Sequence, residues 1–273
     1  MTALRIGFVG VGRMGAPMVR RLVAAGHEVR ALGRSGDARR RVTELGAEPV
    51  SFTAAVGTGA AAVVVCVFTD DQVRAVCLDT PLLASMPGGS VLIVHTTGSP
   101  RTAEDIAAQA AAHDIRVVDA PVSGGPPDID AGTLTVFAGG TEDALARARP
   151  VLRCYGDPVL PVGPLGSGQR VKLVNNALFA AQLGLLTEAV RLASELGVDE
   201  ATVLAALQHA SGASRAAASV AAKGSVAAFH TSVGEFIGKD VATVRTLAAE
   251  LGAAMGTLDA AINAQFLDTR RGS

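Results

Sequence analysis

The sequence is poor in aromatic residues and almost balanced in charge. It contains no tryptophan and one tyrosine among 273 residues, and its formal net charge is −1. Proteins that bind nucleic acids present basic surfaces or aromatic platforms for bases, and anionic membranes also attract basic segments. The composition offers neither feature, so we expect no nucleic-acid partner and no membrane partner.

Cysteine is scarce as well. Cys66, Cys77 and Cys154 show no C-x-x-C spacing and form an odd set, which disfavours a disulfide framework and favours a reducing compartment. The N-terminus leads directly into an apolar strand, without the segments of a secretory signal. The apolar run at residues 60–68 is only as long as a strand, and no charge-free run reaches membrane-spanning length. The expected location is the cytoplasm.

Glycine is plentiful, and three glycines near the start have the spacing of a dinucleotide-binding turn. They belong to the run Gly10-Val11-Gly12-Arg13-Met14-Gly15, which follows an apolar strand and opens a helix. Gly10 permits the turn, Gly12 lets the backbone approach a pyrophosphate, and Gly15 lets the helix pack on the strand. The helix N-terminus would face the phosphates, with Arg13 and Met14 close to the cofactor. A purely structural turn is the alternative.

The first part of the chain alternates short apolar strands with helices. The predicted strands are residues 6–9, 27–32, 60–68, 89–94, 115–118, 134–138 and 159–162. The alternation predicts an α/β fold with a Rossmann-type, doubly wound parallel sheet, whose ligands lie beyond the carboxyl ends of the strands. Thr97, Ser123 and the glycine turn all fall at such ends.

The pattern changes after Pro164. A long helix at residues 171–196 ends before Gly197, and helical segments without a convincing strand follow. We therefore predict a Rossmann domain at residues 1–164 and an all-α domain at residues 165–273 that begins with the long helix. An isolated helix of this composition would expose apolar surface, so we expect a homodimer or homotetramer.

The residues after the second strand bear on the choice of cofactor. An acid commonly stands there to bind the ribose hydroxyl of NAD, but this chain has Gly33-Arg34-Ser35. Gly33 leaves room, Ser35 adds a hydroxyl, and the Arg34 guanidinium suits a 2′-phosphate. NADP(H) is thus favoured over NAD(H), although a solvated Arg34 would leave the preference open. Residues 39–41, all arginine, are expected to face the solvent.

Four blocks of sequence occur in a definite order. After the glycine turn they are Asp119-Ala120-Pro121-Val122-Ser123-Gly124-Gly125, Gly166-Ser167-Gly168 leading to Lys172 and Asn175-Asn176, and Lys239-Asp240. Together they resemble the β-hydroxyacid dehydrogenase family over nearly the whole chain, including a C-terminal domain like that of 6-phosphogluconate dehydrogenase. The resemblance implies an NAD(P)-dependent oxidoreductase that interconverts a small 3-hydroxy acid and its semialdehyde or oxo acid.

The same resemblance implies the catalytic and substrate-binding residues. Lys172 would be the acid/base that exchanges a proton with the reacting oxygen. Asn176, on the same helix face, would hold that lysine and that oxygen. Ser123, with Gly124 and Gly125, would orient the substrate by binding its carboxylate through a hydroxyl and exposed N–H groups. A surface lysine and a plain turn are the alternatives.

Further cofactor contacts are implied in the same way. Thr97 would lie beside the nicotinamide, the segment Val67-Phe68 would follow the cofactor chiefly with its backbone, and Lys239 would reach the cofactor or active site. Asp240 is expected to pair locally. Gly98 stands where the family usually has a branched residue, and Val94 where it frequently has an acid. The wall of the cofactor site near Thr97 should therefore differ from that of other family members. The spacing of the histidines predicts no metal site.

The end of the chain also departs from the family. The chain stops soon after a helix predicted at residues 258–266, where members of the family often continue, so the substrate cleft or the subunit contact should differ.

An imine reductase is a rival function with the same fold, but such enzymes usually replace the lysine that Lys172 matches. A non-catalytic dinucleotide-binding assembly module is the second rival, and the presence of Lys172 argues against it too.

Overall fold

A computed structural model describes residues 3–264 of the chain, with the backbone alone at residues 233–236. The chain forms two compact units that divide between Lys172 and Leu173. The expectations for Phe266 and for the polar tail at residues 269–273 lie outside the described residues.

The first unit carries one mixed sheet and eight helices among the described residues. Its strands are β1 Arg5–Val9, β2 Glu28–Leu32, β3 Glu48–Val50, β4 Ala62–Val65, β5 Val91–Val94, β6 Arg116–Asp119, β7 Val122–Ser123, β8 Leu134–Gly139 and β9 Gly156–Gly163. Its helices are α1 Gly15–Ala24, α2 Gly36–Glu44, α3 Thr53–Gly57, α4 Asp70–Leu78, α5 Leu82–Ser85, α6 Pro100–Ala111, α7 Pro126–Ala131 and α8 Glu142–Leu152.

The sheet has the strand order β3-β2-β1-β4-β5-β6-β8-β7, with β9 paired to β8. Strands β1 to β6 are all parallel to one another, which confirms the Rossmann-type fold. The order reverses at β1 and β4, and this switch point is where such sheets bind ligands. The glycine turn after β1 therefore stands at the expected place.

The far side of the sheet differs from the wholly parallel arrangement that we predicted. Strand β8 runs antiparallel to both β6 and β7. The link between β6 and β8 holds only a two-residue strand and a six-residue helix. Part of this segment forms β7 and its turn, and the short helix that remains does not carry the chain across the sheet as a crossover helix would, so β8 runs back antiparallel.

Both faces of the sheet are buried. In β4, Val64 packs in one apolar cluster while Val63 and Val65 pack in another. In β5, Ile93 belongs to the first cluster and Leu92 to the second. Successive strand residues point to opposite faces, so helices cover the parallel strands on both sides.

Strand β4 is shorter than the predicted strand at residues 60–68. The Val67 N–H donates to the hydroxyl of Thr96 at 3.0 Å, and that hydroxyl donates to the Val67 carbonyl at 2.9 Å. A side chain thus takes both backbone groups that would have extended the ladder. The next helix, α4, begins with a reciprocal capping box between Thr69 and Gln72.

The second unit contains only helices among its described residues. They are α9 Ser167–Glu195, which starts within the first unit, α10 Glu200–Leu207, α11 Arg215–Ala221, α12 Val226–Glu250 and α13 Thr257–Ala264. Asp199 caps α10 through the Thr202 N–H at 2.9 Å, as predicted. The long helix that we predicted is present, and the all-α character of this part is confirmed.

Helix α9 is long and apolar enough to cross a membrane by length and composition, with a mean hydropathy of 1.2 over its best 18-residue window. Half of that window is buried inside the protein. Leu183 and Leu186 pack there with Leu204 and Phe229, so one face of α9 serves as the core of the helical unit.

Candidate cofactor and active site

The turn between β1 and α1 has the geometry of a phosphate-binding turn. Gly10 has a φ of +101°, and a Cβ there would overlap the Cys66 carbonyl. A Cβ on Gly15 would lie 2.9 Å from the Phe8 ring, so the helix start packs against the strand. In contrast, no described atom lies within 4 Å of a Cβ built on Gly12. The backbone at Gly12 is therefore open to a ligand.

The start of α1 suits an anion. Within the described chain, no side chain caps this helix and no acid lies in its first turn. The N–H groups of a first helical turn lack partners inside the helix and carry the positive end of its dipole. Arg13 is exposed beside this turn, while Met14 is half-buried against the core.

A cavity of about 300 Å³ opens beside the glycine turn. Its wall includes Gly10, Val11, Leu32, Arg34, Arg41 and Val67. Arg34 thus stands where the sequence placed it. Arg41 is exposed as expected but also lines this cavity, a role that the sequence analysis missed. Its position seven residues after Arg34, two turns along α2, was the available signal.

Two residues flanking Arg34 serve structural purposes. A Cβ on Gly33 would lie 2.8 Å from Cγ of Arg39, so the space beside Gly33 is filled by Arg39 and does not give the room that we expected. The Ser35 hydroxyl accepts the Ala38 N–H at 3.1 Å and caps α2. Neither residue needs a cofactor to explain it.

The segment Val67-Phe68 has its backbone occupied. Thr96 holds both backbone groups of Val67, and the Phe68 N–H donates to Gln72 at 2.9 Å. The expectation that this segment uses chiefly its backbone on the cofactor is therefore wrong for the two N–H groups, while the Val67 carbonyl keeps a second lone pair. The side chains remain, since Val67 lines the cavity and the side chain of Phe68 is exposed.

The unusual glycine at position 98 has a partner that explains it. A Cβ on Gly98 would overlap the Asp70 carboxylate. That carboxylate accepts the Ser99 N–H at 3.1 Å and the Thr102 hydroxyl at 2.6 Å. A branched side chain at 98 would collide with this carboxylate. That the wall beside Thr97 differs from that of the family stays a prediction.

The buried Asp119 holds the start of α9. Its carboxylate accepts the Gly166 N–H at 2.7 Å and the Gln169 N–H at 2.8 Å. Burial raises the pKa of Asp119 to about 6, and the N–H groups of Gln169 and Gly166 oppose that rise. Gly168 lies so close that a Cβ there would be 2.5 Å from the Phe137 carbonyl. Because its first turn is capped in this way, α9 begins at Ser167 rather than at the predicted residue 171.

Lys172 is half-buried on α9, one turn beyond this capped start. Asn176 follows one turn later and is buried. Its Nδ2 donates to the Asp240 carboxylate at 3.0 Å, and its Oδ1 accepts from Asn175 at 3.2 Å. Asp240 thus pairs within the helical unit, and Lys239 precedes it on α12.

The turn after β7 offers fewer free donors than expected. Ser123 is half-buried and pairs with Thr135 across the sheet. The Gly125 N–H donates to the Asp128 carboxylate at 2.6 Å, so this N–H is not open. Gly124, with a φ of +132°, is exposed. The candidate carboxylate site therefore relies on Ser123 and Gly124.

His95 is a structural residue of the first unit. It is buried, its Nδ1 lies 2.6 Å from the Ala120 carbonyl, and its Nε2 lies 2.8 Å from the Tyr155 hydroxyl. Burial lowers the pKa of His95 to about 4, so the ring is neutral near pH 7. Among the residues that the structure describes, no three His, Cys, Asp or Glu side chains gather as a metal site.

The first unit thus collects several predicted residues after the carboxyl ends of its strands. The glycine turn follows β1, Thr97 follows β5, Ser123 ends β7, and Lys172 stands on the helix capped at the end of β6. This arrangement, with a turn suited to an anion at the switch point, defines a dinucleotide-binding fold of the Rossmann type.

Comparison with known families specifies the class further. The family described as the NAD binding domain of 6-phosphogluconate dehydrogenase matches residues 5–163. The family described as NAD-binding of NADP-dependent 3-hydroxyisobutyrate dehydrogenase matches residues 166–270. The chain belongs to the β-hydroxyacid dehydrogenase family and is an NAD(P)-binding oxidoreductase that acts on CH–OH groups.

Individual relatives agree with this placement. The chain is similar to 3-hydroxyisobutyrate dehydrogenase of Pseudomonas aeruginosa, with 36% identity over 76% of this chain and 70% of the relative. It is also similar to the NAD-dependent L-serine dehydrogenase of that organism, with 34% identity over the same shares. The structure of Mycobacterium tuberculosis 3-hydroxyisobutyrate dehydrogenase with L-serine aligns with a TM-score of 0.85 and 28% identity, covering 99% of this chain and 95% of that one.

Imine reductases are more distant. The structure of one from Pseudomonas sp. aligns with a TM-score of 0.62 at 19% identity, over 91% of this chain and 77% of that one. At this identity the likeness shows the fold alone.

The two glycines of the turn should respond differently to alanine. Gly12→Ala should leave the melting temperature unchanged but weaken dinucleotide binding about tenfold, because the added methyl points into open space that a pyrophosphate would take. Gly15→Ala should lower the melting temperature, because its methyl meets backbone and the Phe8 ring. Calorimetric titration and thermal melts would measure both effects.

Gly88→Ala is the matched control, since a Cβ there is 3.6 Å from its nearest neighbour, in ordinary contact. It should change neither quantity. Unaltered binding in Gly12→Ala, with the fold intact, would contradict the role of the turn.

Proposed function

We propose that this protein interconverts a small 3-hydroxy acid and its semialdehyde or oxo acid, with Lys172 as acid/base and NADP(H) preferred over NAD(H). The observation that carries the proposal is the position of Lys172, one turn beyond the helix start that Asp119 caps at the ligand edge of the sheet. Relatives of similar length and named dehydrogenase activity support the reaction class.

The chemistry divides between the cofactor and the chain. Bound NAD(P) would supply or accept the hydride. During reduction Lys172 donates a proton to the carbonyl oxygen as negative charge develops there, and during oxidation it removes the hydroxyl proton. Asn176 orients this exchange without changing its own charge, while its amide stays anchored on Asp240.

The names of the relatives bear on the substrate. 3-Hydroxyisobutyrate and L-serine both carry a hydroxyl on the carbon two bonds from the carboxyl carbon. If Ser123 and Gly124 hold the substrate carboxylate, the hydroxyl of either acid is the same number of bonds away from it and so lies at a similar distance from the bound carboxylate. Gly125 contributes less, because its N–H is engaged by Asp128. The substrate class that we propose is therefore a small 3-hydroxy acid with a compact carboxylate end.

Replacement of the lysine tests the reaction. Lys172→Ala should lower kcat by about a hundredfold to ten-thousandfold, as loss of an acid/base does, while dinucleotide affinity stays near the wild-type value. The assay follows NADPH oxidation with a panel of semialdehydes, glyoxylate and cyclic imines, and NADP+ reduction with 3-hydroxyisobutyrate and L-serine.

Lys223→Ala, a change on the turn after α11, serves as the control and should leave turnover unchanged. Turnover that survives in Lys172→Ala would remove the lysine from the mechanism. Turnover of imines alone would favour the imine reductase, and binding of NADPH without any turnover would favour the assembly module.

The preference for NADP(H) rests on two arginines. Arg34 and Arg41 both line the cavity beside the glycine turn, and charge-assisted hydrogen bonds to a 2′-phosphate would distinguish the two cofactors. The family that matches residues 166–270 is described as belonging to NADP-dependent enzymes, while the serine dehydrogenase relative is NAD-dependent. We infer that the pair of arginines decides the choice here. The role of Lys239 stays a prediction from the family resemblance.

Single removal of each arginine should weaken NADPH binding about tenfold to a hundredfold, given about 1.5–3 kcal/mol for a charged hydrogen bond, and leave NADH binding nearly unchanged. Fluorescence titration of both cofactors with Arg34→Ala and Arg41→Ala measures this. Arg40→Ala, which loses only an exposed pair with Asp37, is the control. An NADPH preference in Arg34→Ala as large as that of the wild type would refute the assignment.

The oligomeric state follows from the outer face of α9. The exposed Leu178, Leu185 and Leu192 are spaced seven residues apart and form one stripe on this helix. A contiguous apolar stripe of this kind commonly marks a protein interface. We infer that a second copy of the chain covers it, in a homodimer or a homotetramer.

Leu185→Glu should convert the assembly to a smaller species in sedimentation equilibrium, because the carboxylate would be buried without a partner. Phe52→Glu alters an equally exposed apolar residue of the first unit and should leave the assembly unchanged. A monomeric wild-type chain at micromolar concentration would contradict the inference.

A reducing compartment is the remaining proposal. All three cysteines are free thiols, and burial raises the pKa of Cys66 and of Cys77 to about 12. Such thiols are unreactive, and the cytoplasm is the location that we propose. Fractionation of cells that express the native chain would test it, and recovery outside the cytoplasmic fraction would contradict it.

A further inference from the structure

The side chain of Gln169 connects α9 to the loop after β5. This residue lies in the first turn of α9 and is 2% exposed. Its Nε2 donates to the Thr96 carbonyl at 2.9 Å, and its Oε1 accepts the Gly98 N–H at 3.0 Å. One amide thus holds the residues on either side of Thr97.

Contacts between the start of α9 and the sheet fix the position of that amide. The Gln169 N–H donates to the buried Asp119 carboxylate at 2.8 Å, and Gly168 beside it packs against the Phe137 carbonyl. The backbone of residue 169 is therefore seated on the ends of β6 and β8. The side chain of Gln169 therefore makes its hydrogen bonds to the loop after β5 from a fixed backbone position.

The start of the helix does not need this side chain. Asp119 already caps α9 through two backbone N–H groups, and neither of these hydrogen bonds of the Gln169 side-chain amide goes to its own helix. Its two bonds go to Thr96 and Gly98 alone. An apolar side chain of similar size could fill the volume, but it would leave a buried carbonyl and a buried N–H without partners.

We propose that Gln169 is a positioning residue, whose side-chain amide fixes the position of Thr97, beside the nicotinamide site, relative to Lys172. Gln169 and Lys172 are three residues apart and share one face of α9. The same turn of α9 thus carries Lys172, which would exchange the proton, and the Gln169 amide, which holds the loop that contains Thr97. This inference rests on the proposed function of Lys172 and on the family resemblance, which implies that Thr97 lies beside the nicotinamide.

Two variants separate the hydrogen bonds from the volume of the side chain. Gln169→Leu fills the space without either bond, and we expect kcat to fall about tenfold to a hundredfold, the usual result of a small misplacement. Dinucleotide affinity should change less than about threefold, because the glycine turn is untouched. In the cofactor-free protein, hydrogen exchange at the Gly98 amide should accelerate about tenfold or more, because it loses its acceptor.

Gln169→Glu gives a sharper test. A protonated glutamic acid donates to the Thr96 carbonyl and accepts from Gly98, whereas a carboxylate has no donor for Thr96. Its kcat, relative to wild type, should therefore rise as the pH falls. Burial, Asp119 and the Asp70 carboxylate beside Gly98 would keep the new carboxyl protonated to higher pH, while Lys172 and Arg170 would act in the opposite sense. Gln109→Leu and Gln109→Glu, exposed changes on α6, are the matched controls.

The outcomes are distinct. A wild-type kcat in Gln169→Leu would overturn the proposal, as would a Gln169→Glu variant whose relative kcat does not depend on pH or a Gly98 amide that exchanges at the wild-type rate. If Gln169→Leu does not fold, the pH dependence of Gln169→Glu alone decides the matter. Failure of the proposed function would show separately, as undiminished turnover in Lys172→Ala.

Discussion

A buried carboxylate at the end of β6 organises the ligand side of the first unit. Asp119 accepts two N–H groups from the start of α9, where the positive end of a helix dipole favours a negative charge. Removing a carboxyl group from water is costly unless such partners replace the water. The same contact places Gln169 against the loop after β5 and Lys172 one turn further along. The helix start, the loop and the candidate acid/base therefore depend on one interaction.

This dependence also explains where glycine is needed. A Cβ on Gly168 would lie 2.5 Å from the Phe137 carbonyl, and a Cβ on Gly139 would lie 2.9 Å from the Gly168 N. A helix can approach two strand ends this closely only where side chains are missing from both partners. The block Gly166-Ser167-Gly168 is thus a packing feature, distinct from the phosphate-binding turn at Gly10.

Much of the fold could be predicted because it depends on local patterns. The β1 strand, the glycine turn and the helix at Glu142–Leu152 follow from hydrophobic periodicity and caps. The antiparallel β8 could not be predicted, because the direction of a strand depends on how its connection runs. The early start of α9 was missed because its cap, Asp119, is almost fifty residues away in the sequence.

The site shows the same division. Motif spacing located the glycine turn, Arg34 and Lys172, but not the partners that determine which of their neighbours are available. Asp128 occupies the Gly125 N–H, Arg39 fills the space beside Gly33, and Asp70 stands where a branched residue at 98 would lie. The first two contacts join residues three and six positions apart, and the third joins distant parts of the chain. Motif spacing and periodicity indicate none of the three.

The distance between Lys172 Nζ and the substrate hydroxyl tests the account most directly. A crystal structure of the full chain with NADP+ and 3-hydroxyisobutyrate would measure it. The account predicts a separation of about 2.6–3.2 Å, within hydrogen-bond reach, with the pyrophosphate on the Gly12 turn and the nicotinamide beside Thr97. A hydroxyl beyond the reach of Lys172, with both ligands fully bound, would contradict it.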